Sequence, residues 1–284
     1  MPLRNRQWLL ARRPDGVAEE ADFRLVEAEV PALAKGQLLV RVHYLSLDPY
    51  MRGRMDDVAS YAPPQPLGQV MIGATVGEVV DSRHPGFQPG ESVVCTGGWQ
   101  QYFISDGAGV RKVDTTAVPA SAWLGAVGMP GVTAWYGLNH IGKPRPAETV
   151  LVSAAGGAVG GVVGQLARMR GCRVVGVAGG SAKCDYVVGE LGFHACVDYK
   201  APDFQEAFQA ATPDGIDFDF ENVGGKVFDA ALSRMNAFGR VALCGLMAGY
   251  NGGDLALHNV RAILVRRLRI EGFIVSEHLD LWPQ

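Results

Sequence analysis

The residues with the clearest chemical meaning stand in one stretch, Ser153-Ala-Ala-Gly-Gly-Ala-Val-Gly-Gly161, where a β-branched run gives way to a helical one. In such a turn a glycine at 157 allows a tight bend. One at 160 lets the backbone come close to a pyrophosphate, and Gly164 permits close packing of helix on strand. With Ala158 and Val159 between them, these residues open a helix whose free N–H groups and partial positive charge attract phosphate. The pattern reads A-x-G-x-x-G from Ala155, not three strict glycines, so the strand-turn-helix setting carries the argument. The kind of dinucleotide is read about 20 residues further on, where an NAD site places Asp or Glu to hold the ribose hydroxyls. Here Val177-Ala-Gly-Gly-Ser-Ala-Lys183 holds no acid, and the first one after it is Asp185. Gly180 and Ser181 offer backbone and hydroxyl donors and Lys183 offers a charge, a set that suits a ribose phosphate. NADP(H) is therefore the expected cofactor.

A second candidate is Tyr250, in Cys244-Gly-Leu-Met-Ala-Gly-Tyr-Asn251, at the carboxyl end of a strand, where ligands of open α/β sheets bind. A phenol with a pKa near 10 is mainly a hydrogen-bond donor at neutral pH, which suits oxyanion stabilisation better than base catalysis. Asp217 and Asp219 alternate with Phe218 and Phe220 and read as strand-face residues, not an acid/base pair. The six histidines are scattered without ligand spacing, and the five cysteines contain no C-x-x-C pair, so neither a zinc ribbon nor a disulfide framework is signalled.

The elements that must position these groups follow from punctuation and period. Gln37–Tyr44, Ala74–Val80 and Glu91–Thr96 are short β-branched runs between Pro and Gly clusters, which predicts a small barrel. Residues 119–142 switch to helical packing of small residues. Then come strands at Thr149–Ser153, Cys172–Ala178, Ala195–Asp198, Ile216–Phe220, Gly239–Gly245 and Leu268–Val275, with helices near 158–170, 183–191, 226–236 and 258–266. Strands alternating with helices predict a doubly wound parallel sheet, because each parallel pair needs a crossover. A net charge of -3 and 19% charged residues exclude a nucleic-acid coat. No stretch reaches about 18 uninterrupted apolar residues and no signal peptide is evident, so neither a membrane span nor export is expected and the reading is cytoplasmic.

Several segments together carry a family resemblance: Ser46-Leu-Asp-Pro-Tyr-Met-Arg-Gly-Arg-Met55, Gly128-Met-Pro-Gly-Val-Thr-Ala-Trp-Tyr136, Cys172-Arg-Val-Val-Gly-Val-Ala-Gly-Gly180, Glu221-Asn-Val-Gly-Gly225 and the 154–160 turn. The chain resembles the medium-chain dehydrogenase/reductase superfamily, in its zinc-free branch of NADPH-dependent alkenal double-bond reductases. The resemblance implies a GroES-like catalytic domain over residues 1–118, a Rossmann domain over 119–275, and at 276–284 the start of a return to the catalytic domain. It implies that Lys183 and Tyr199 hold the adenosine phosphate and that Asn222 lies along the cofactor. By the same resemblance Met129, Thr133, Cys244 and the Phe273–Val275 backbone line the nicotinamide, with Tyr250 as the polar contact to substrate and Tyr50 shaping the pocket. Zinc relatives need Cys and His ligands, whereas here Leu45-Ser-Leu-Asp48 and Gly68-Gln-Val-Met71 stand in those places.

Without a metal, conjugate reduction asks less activation than direct carbonyl reduction. Hydride reaches the β-carbon of an α,β-unsaturated ketone or aldehyde, and a hydroxyl donor stabilises the enolate. Two alternatives stay open: a zinc-free NADPH quinone reductase, and a non-catalytic NADPH-binding protein. The second arises because the sequence stops at Leu279-Asp-Leu-Trp-Pro-Gln284, where family members continue with a late segment that touches the cofactor. A small-molecule enone or quinone is the expected partner, with no nucleic acid and no membrane, and a homodimer is compatible with the apolar run Leu268–Val275.

Overall fold

In the first part of the chain, runs of β-branched and aromatic residues pair as antiparallel strands, because such side chains fill a pleated, half-buried surface. The computed structural model describes residues 2–282. Strands β1 (Arg4–Leu10) and β2 (Phe23–Glu29) form a hairpin in which Gln7 faces Val26. Strand β3 (Leu38–Leu45) precedes the short helix α1 (Tyr50–Arg54), and then come β4 (Thr75–Ser82), β5 (Ser92–Cys95), β6 (Tyr102–Ser105) and β7 (Arg111–Lys112). The last four and β3 make a five-stranded sheet in the order β6-β3-β4-β5-β7. Leu38, Val40, Val79 and Val93 fill one core, while Leu10, Met51, Met55 and Met71 fill a second under α1.

Residues 120–124 form a 3-10 turn packed against β3 and β4, so the division between two compact units falls between Leu124 and Gly125. The sequence reading placed it after 118. The small-residue composition that suggested a new unit there belongs in fact to helix α2 (Met129–Tyr136) and the π-helical turn Gly137–Gly142.

The second unit alternates strand and helix: β8 (Thr149–Ser153), α3 (Gly160–Met169), β9 (Arg173–Ala178), α4 (Ser181–Gly189), β10 (Ala195–Asp198), α5 (Phe204–Ala211), β11 (Ile216–Glu221), α6 (Gly225–Arg234), β12 (Met235–Leu243), α7 (Arg261–Arg266) and β13 (Arg269–Gly272). The six strands are all parallel, in the order β10-β9-β8-β11-β12-β13. That is the doubly wound order whose ligands bind at the reversal beside β8. Strand β8 is buried along its whole length, as a central parallel strand must be. Val150 and Val152 enter a cluster with Phe218 and Phe220, and Leu151 enters the opposite cluster with Val175, Val197, Phe208 and Val241.

Three expectations are corrected in detail. Helix α5 was not foreseen. Strand β13 covers four residues instead of the run to Val275, because Phe273 leaves the sheet to pack on Tyr136 and Phe220, and Val275 opens a 3-10 stretch to Leu281. Strand β12 begins earlier than Gly239, but its steady pairing with β11 starts at Arg240, after an irregular stretch that includes Phe238 at φ +62°. Among the described residues no helix is long and apolar enough to cross a membrane.

Candidate functional site

The turn after β8 is tighter than its glycines alone suggest. Ala155 N–H donates to the Val177 carbonyl at 3.0 Å, and Gly157 N–H donates to the Ala154 carbonyl at 2.9 Å. The left-handed residue in this turn is Ala154, at φ +49°, not a glycine. A Cβ on Gly160 would lie 2.4 Å from the Ala154 carbonyl oxygen, so the glycine is demanded first by the chain's own turn. Gly164 is needed because a Cβ there would stand 1.8 Å from the Phe193 ring, which fills the space between α3 and the sheet. Gly156, Gly157 and Ala158 are exposed at the head of α3, with Val159 half-buried beside them. The result is a backbone cradle at a helix N-terminus with room in front of it.

That room is part of a cavity of about 710 Å³ lined by Gly157, Lys183 and Tyr199 of the expected site. It is also lined by Lys200, Lys226 and His258, which the sequence reading did not select. Lys226, the second residue of α6, donates to the Tyr199 carbonyl at 2.9 Å and sits 5.4 Å over that ring. Lys200 is 6.0 Å from the ring centre. Two ammonium groups approach this tyrosine and a third, on Lys183, lines the same cavity, which also carries Asp229 and Asp254; the lysines are suited to a phosphate. His258, one of the scattered histidines, is exposed on the cavity wall. The signal for Lys200 and Lys226 was adjacency: one follows Tyr199, the other ends Glu-Asn-Val-Gly-Gly-Lys226.

Gly180, the left-handed residue before α4 at φ +100°, does not offer its N–H outward. It donates to Asp198 Oδ1 at 2.8 Å, as Lys200 N–H does at 2.9 Å. These backbone donors hold the Asp198 carboxyl below the usual carboxylate range. Asp198 thus ties the α4 head to the end of β10, while Ser181 and Lys183 remain exposed on the first turn of α4.

The ends of β8, β11 and β12 are joined by buried polar contacts. Asn222 donates its N–H to Ser153 Oγ at 2.7 Å and its side-chain amide to the Ser153 carbonyl at 2.8 Å, so its backbone N–H and one amide N–H serve the framework. Cys244 N–H donates to the Glu221 carbonyl at 2.8 Å, and the Cys244 thiol is pushed up to about 12 by burial and then by the Glu221 charge. Thr133, buried in α2, donates its hydroxyl to the Met129 carbonyl at 2.7 Å and keeps only acceptor capacity. Phe273 packs 5.4 Å from Tyr136, and Val275 is buried. Tyr250 is half-buried at the end of the short 3-10 turn Met247–Gly249. Tyr50 begins α1 in the first unit, where burial and then the Asp48 charge push its phenol up to about 12.

Two family models match: an N-terminal domain of oxidoreductase over residues 6–113 and a zinc-binding dehydrogenase over residues 158–284. The chain is 48% identical over 280 residues to the NADPH-dependent curcumin reductase of Escherichia coli (strain K12), covering 96% of this chain and 81% of that protein. The chain belongs to the medium-chain dehydrogenase/reductase superfamily. Within it the chain falls in the zinc-free branch. A second relative there, the NADP(+)-dependent 2-alkenal reductase of Nicotiana tabacum, is 39% identical, with 99% of this chain and 84% of that protein covered. The crystal structure of CurA from Vibrio vulnificus in complex with NADPH superposes with a TM-score of 0.93 at 43% identity, over 98% of this chain and 85% of that one. Among the described residues of this superfamily member, no three His, Cys, Asp or Glu side chains gather as a metal set.

Proposed function

We propose that the protein is an NADPH-dependent reductase of the carbon-carbon double bond in α,β-unsaturated ketones and aldehydes. The observation that carries this reading is the one cavity whose wall holds Lys183, Lys200, Lys226 and Tyr199 together with the backbone cradle at Gly157. The same cavity supports a dinucleotide bearing a ribose phosphate over one without it. Residues 157–160 would hold the pyrophosphate at the N-terminus of α3, with the Gly157 N–H kept on the Ala154 carbonyl, and Ser181, Lys183 and Tyr199 would hold the adenosine end, with Gly180 shaping the turn beneath it while its N–H stays on Asp198. Asn222 frames the ribose. Met129, Thr133, Cys244 and the Phe273–Val275 backbone would line the nicotinamide, with Thr133 accepting and not donating.

Bound NADPH supplies a hydride to the β-carbon of the substrate. Tyr250 is the group we assign to the substrate oxygen, where its hydroxyl donates as negative charge develops. Tyr50 contributes a phenol held fully protonated at neutral pH. Mixing the chain with NADPH and a panel of enones and quinones, and following loss of the reduced-nicotinamide absorbance, tests the reading. Enone-dependent oxidation that prefers NADPH over NADH and falls about a hundredfold in Tyr250→Phe supports it. NADPH binding without enone turnover refutes it. We further propose a cytoplasmic homodimer, supported by free thiols at all five cysteines and by exposed Leu264 and Val265 beside the β13 edge. Light scattering of the purified chain checks the stoichiometry.

A further inference from the structure

Two carboxylic acids lie fully buried on β11, and the reaction proposed above uses neither. Asp219 and Glu221 are two residues apart and so share one face of the strand. Around Asp219 that face is apolar: Asp219 stands in register between Leu151 of β8 and Val241 of β12, both fully buried in the same cluster. Among the described residues neither Asp219 oxygen meets a hydrogen-bond donor, and nor does Oε2 of Glu221. With both groups ionised, three buried acceptors on one strand face would stay empty, which costs far more than an ordinary lost hydrogen bond. A proton on Asp219 removes one buried charge and gives the pair a donor, since a carboxylic acid is a donor as well as an acceptor. Burial, with the Glu221 charge behind it, pushes the Asp219 carboxyl well above its usual range.

Oε1 of Glu221, by contrast, is in use. It accepts the Val223 N–H at 2.5 Å and the Gly224 N–H at 2.6 Å, and Val223 and Gly224 line the cavity. Gly224 and Gly225 leave the strand at φ +78° and +53°, a left-handed path that needs an anchored acceptor to stay in one place. We propose that Asp219 is kept protonated and donates to Oε2 of Glu221, making the pair a positioning device that fixes the Val223–Gly224 wall of the dinucleotide site. The inference rests on the dinucleotide reading above and adds residues to it.

The groups that face Glu221 are few. Asp219 comes from its own strand and the Cys244 thiol from the end of β12, while the Ser153 hydroxyl of β8 and the Asn222 N–H are donors that favour the Glu221 charge. Helix α6 turns Val227 and Ala231 into the same cluster. Of the charged side chains near the site, Lys226 is engaged on the Tyr199 carbonyl and Asp198 on the Gly180 and Lys200 amides.

The test compares NADPH binding, read by nucleotide fluorescence from about pH 6 to about pH 8, in the wild type and three variants, so that titration of the nucleotide's own phosphate cancels. Glu221→Gln binds NADPH about tenfold more weakly at the upper pH, because its neutral oxygen accepts the two amides poorly. Asp219→Asn keeps the wild-type profile, since the amide still donates to Oε2. Asp219→Val removes that donor, and the midpoint moves to higher pH by about one unit. An infrared spectrum of the protein without nucleotide shows a protonated carboxylic C=O band at the upper pH that Asp219→Asn lacks, a readout that stands even where Asp219→Val fails to fold. An unchanged or lowered midpoint in Asp219→Val, or no such band, overturns the inference. A wild type that shows the band yet binds no NADPH overturns the cofactor reading instead, and with it the role given to the pair.

Discussion

Lys183, Lys226 and Tyr199 divide one task between charge and position. Lys183 is exposed at the head of α4 and free to reach a phosphate, whereas Lys226 is tied to the Tyr199 carbonyl and holds the ring. Lys183→Ala should therefore raise KM for NADPH about tenfold or more while leaving KM for NADH and kcat nearly unchanged, as steady-state kinetics with both nucleotides will show. Glu221 gives a second prediction at this scale. Burial pushes its carboxyl up to about 7 against the donors that favour its charge. A folded-state value above the unfolded one means that the folded form binds the proton more tightly, so this group's stabilisation is present below the ordinary carboxylate range and is lost as pH rises to about 7. His194 works in the opposite sense, because burial and then the Arg168 charge lower its value, so its contribution is lost as pH falls. The difference in unfolding free energy between wild type and Glu221→Gln, measured by denaturant titration at several pH values, isolates the Glu221 slope.

At the scale of elements, the site depends on how closely α3 can approach the sheet. Gly164 allows that approach, with the Phe193 ring in the space a side chain would take. Gly164→Val is expected to destabilise the second unit by on the order of 3 kcal/mol and to weaken NADPH binding, checked by thermal unfolding and nucleotide fluorescence. Elements whose boundaries were misjudged share a cause. Helix α5 buries only Phe204 and Phe208, one pair at helical spacing, which is too short a repeat to stand out. Strand β13 and the segment after it form one apolar run in sequence. Its last residues pack on aromatic rings of α2 and β11 and not on a neighbouring strand.

For the whole molecule, each unit carries its own core, and the cavity lies wholly in the second. A ligand that binds only the folded state stabilises by about 2.7 kcal/mol at a hundredfold excess over Kd. NADPH at that excess should raise the calorimetric unfolding temperature measurably, and NADH at the same concentration should raise it less, because it leaves the three lysines without a phosphate. A net charge of -3 over the chain makes the cationic subsite a local feature, so the preference should weaken as ionic strength rises.

The parallel sheet, the phosphate-binding turn, the preference for a phosphorylated dinucleotide and the family were legible in the residues themselves. Each depends on local signals: β-branched runs, glycine spacing, and an acid missing at the end of β9. Tertiary structure decided which groups meet. Lys226 is far from Lys183 in sequence, and only the crossovers of a doubly wound sheet bring both to the wall of one cavity with Tyr199. Gly180 looked like an outward donor until Asp198, brought alongside by the pairing of β10 with β9, took its N–H. Asp219 read as an ordinary strand-face residue because alternation gives the side of a strand and not what covers it. In a parallel sheet both sides are covered, and a carboxyl placed there must keep its proton or find a partner.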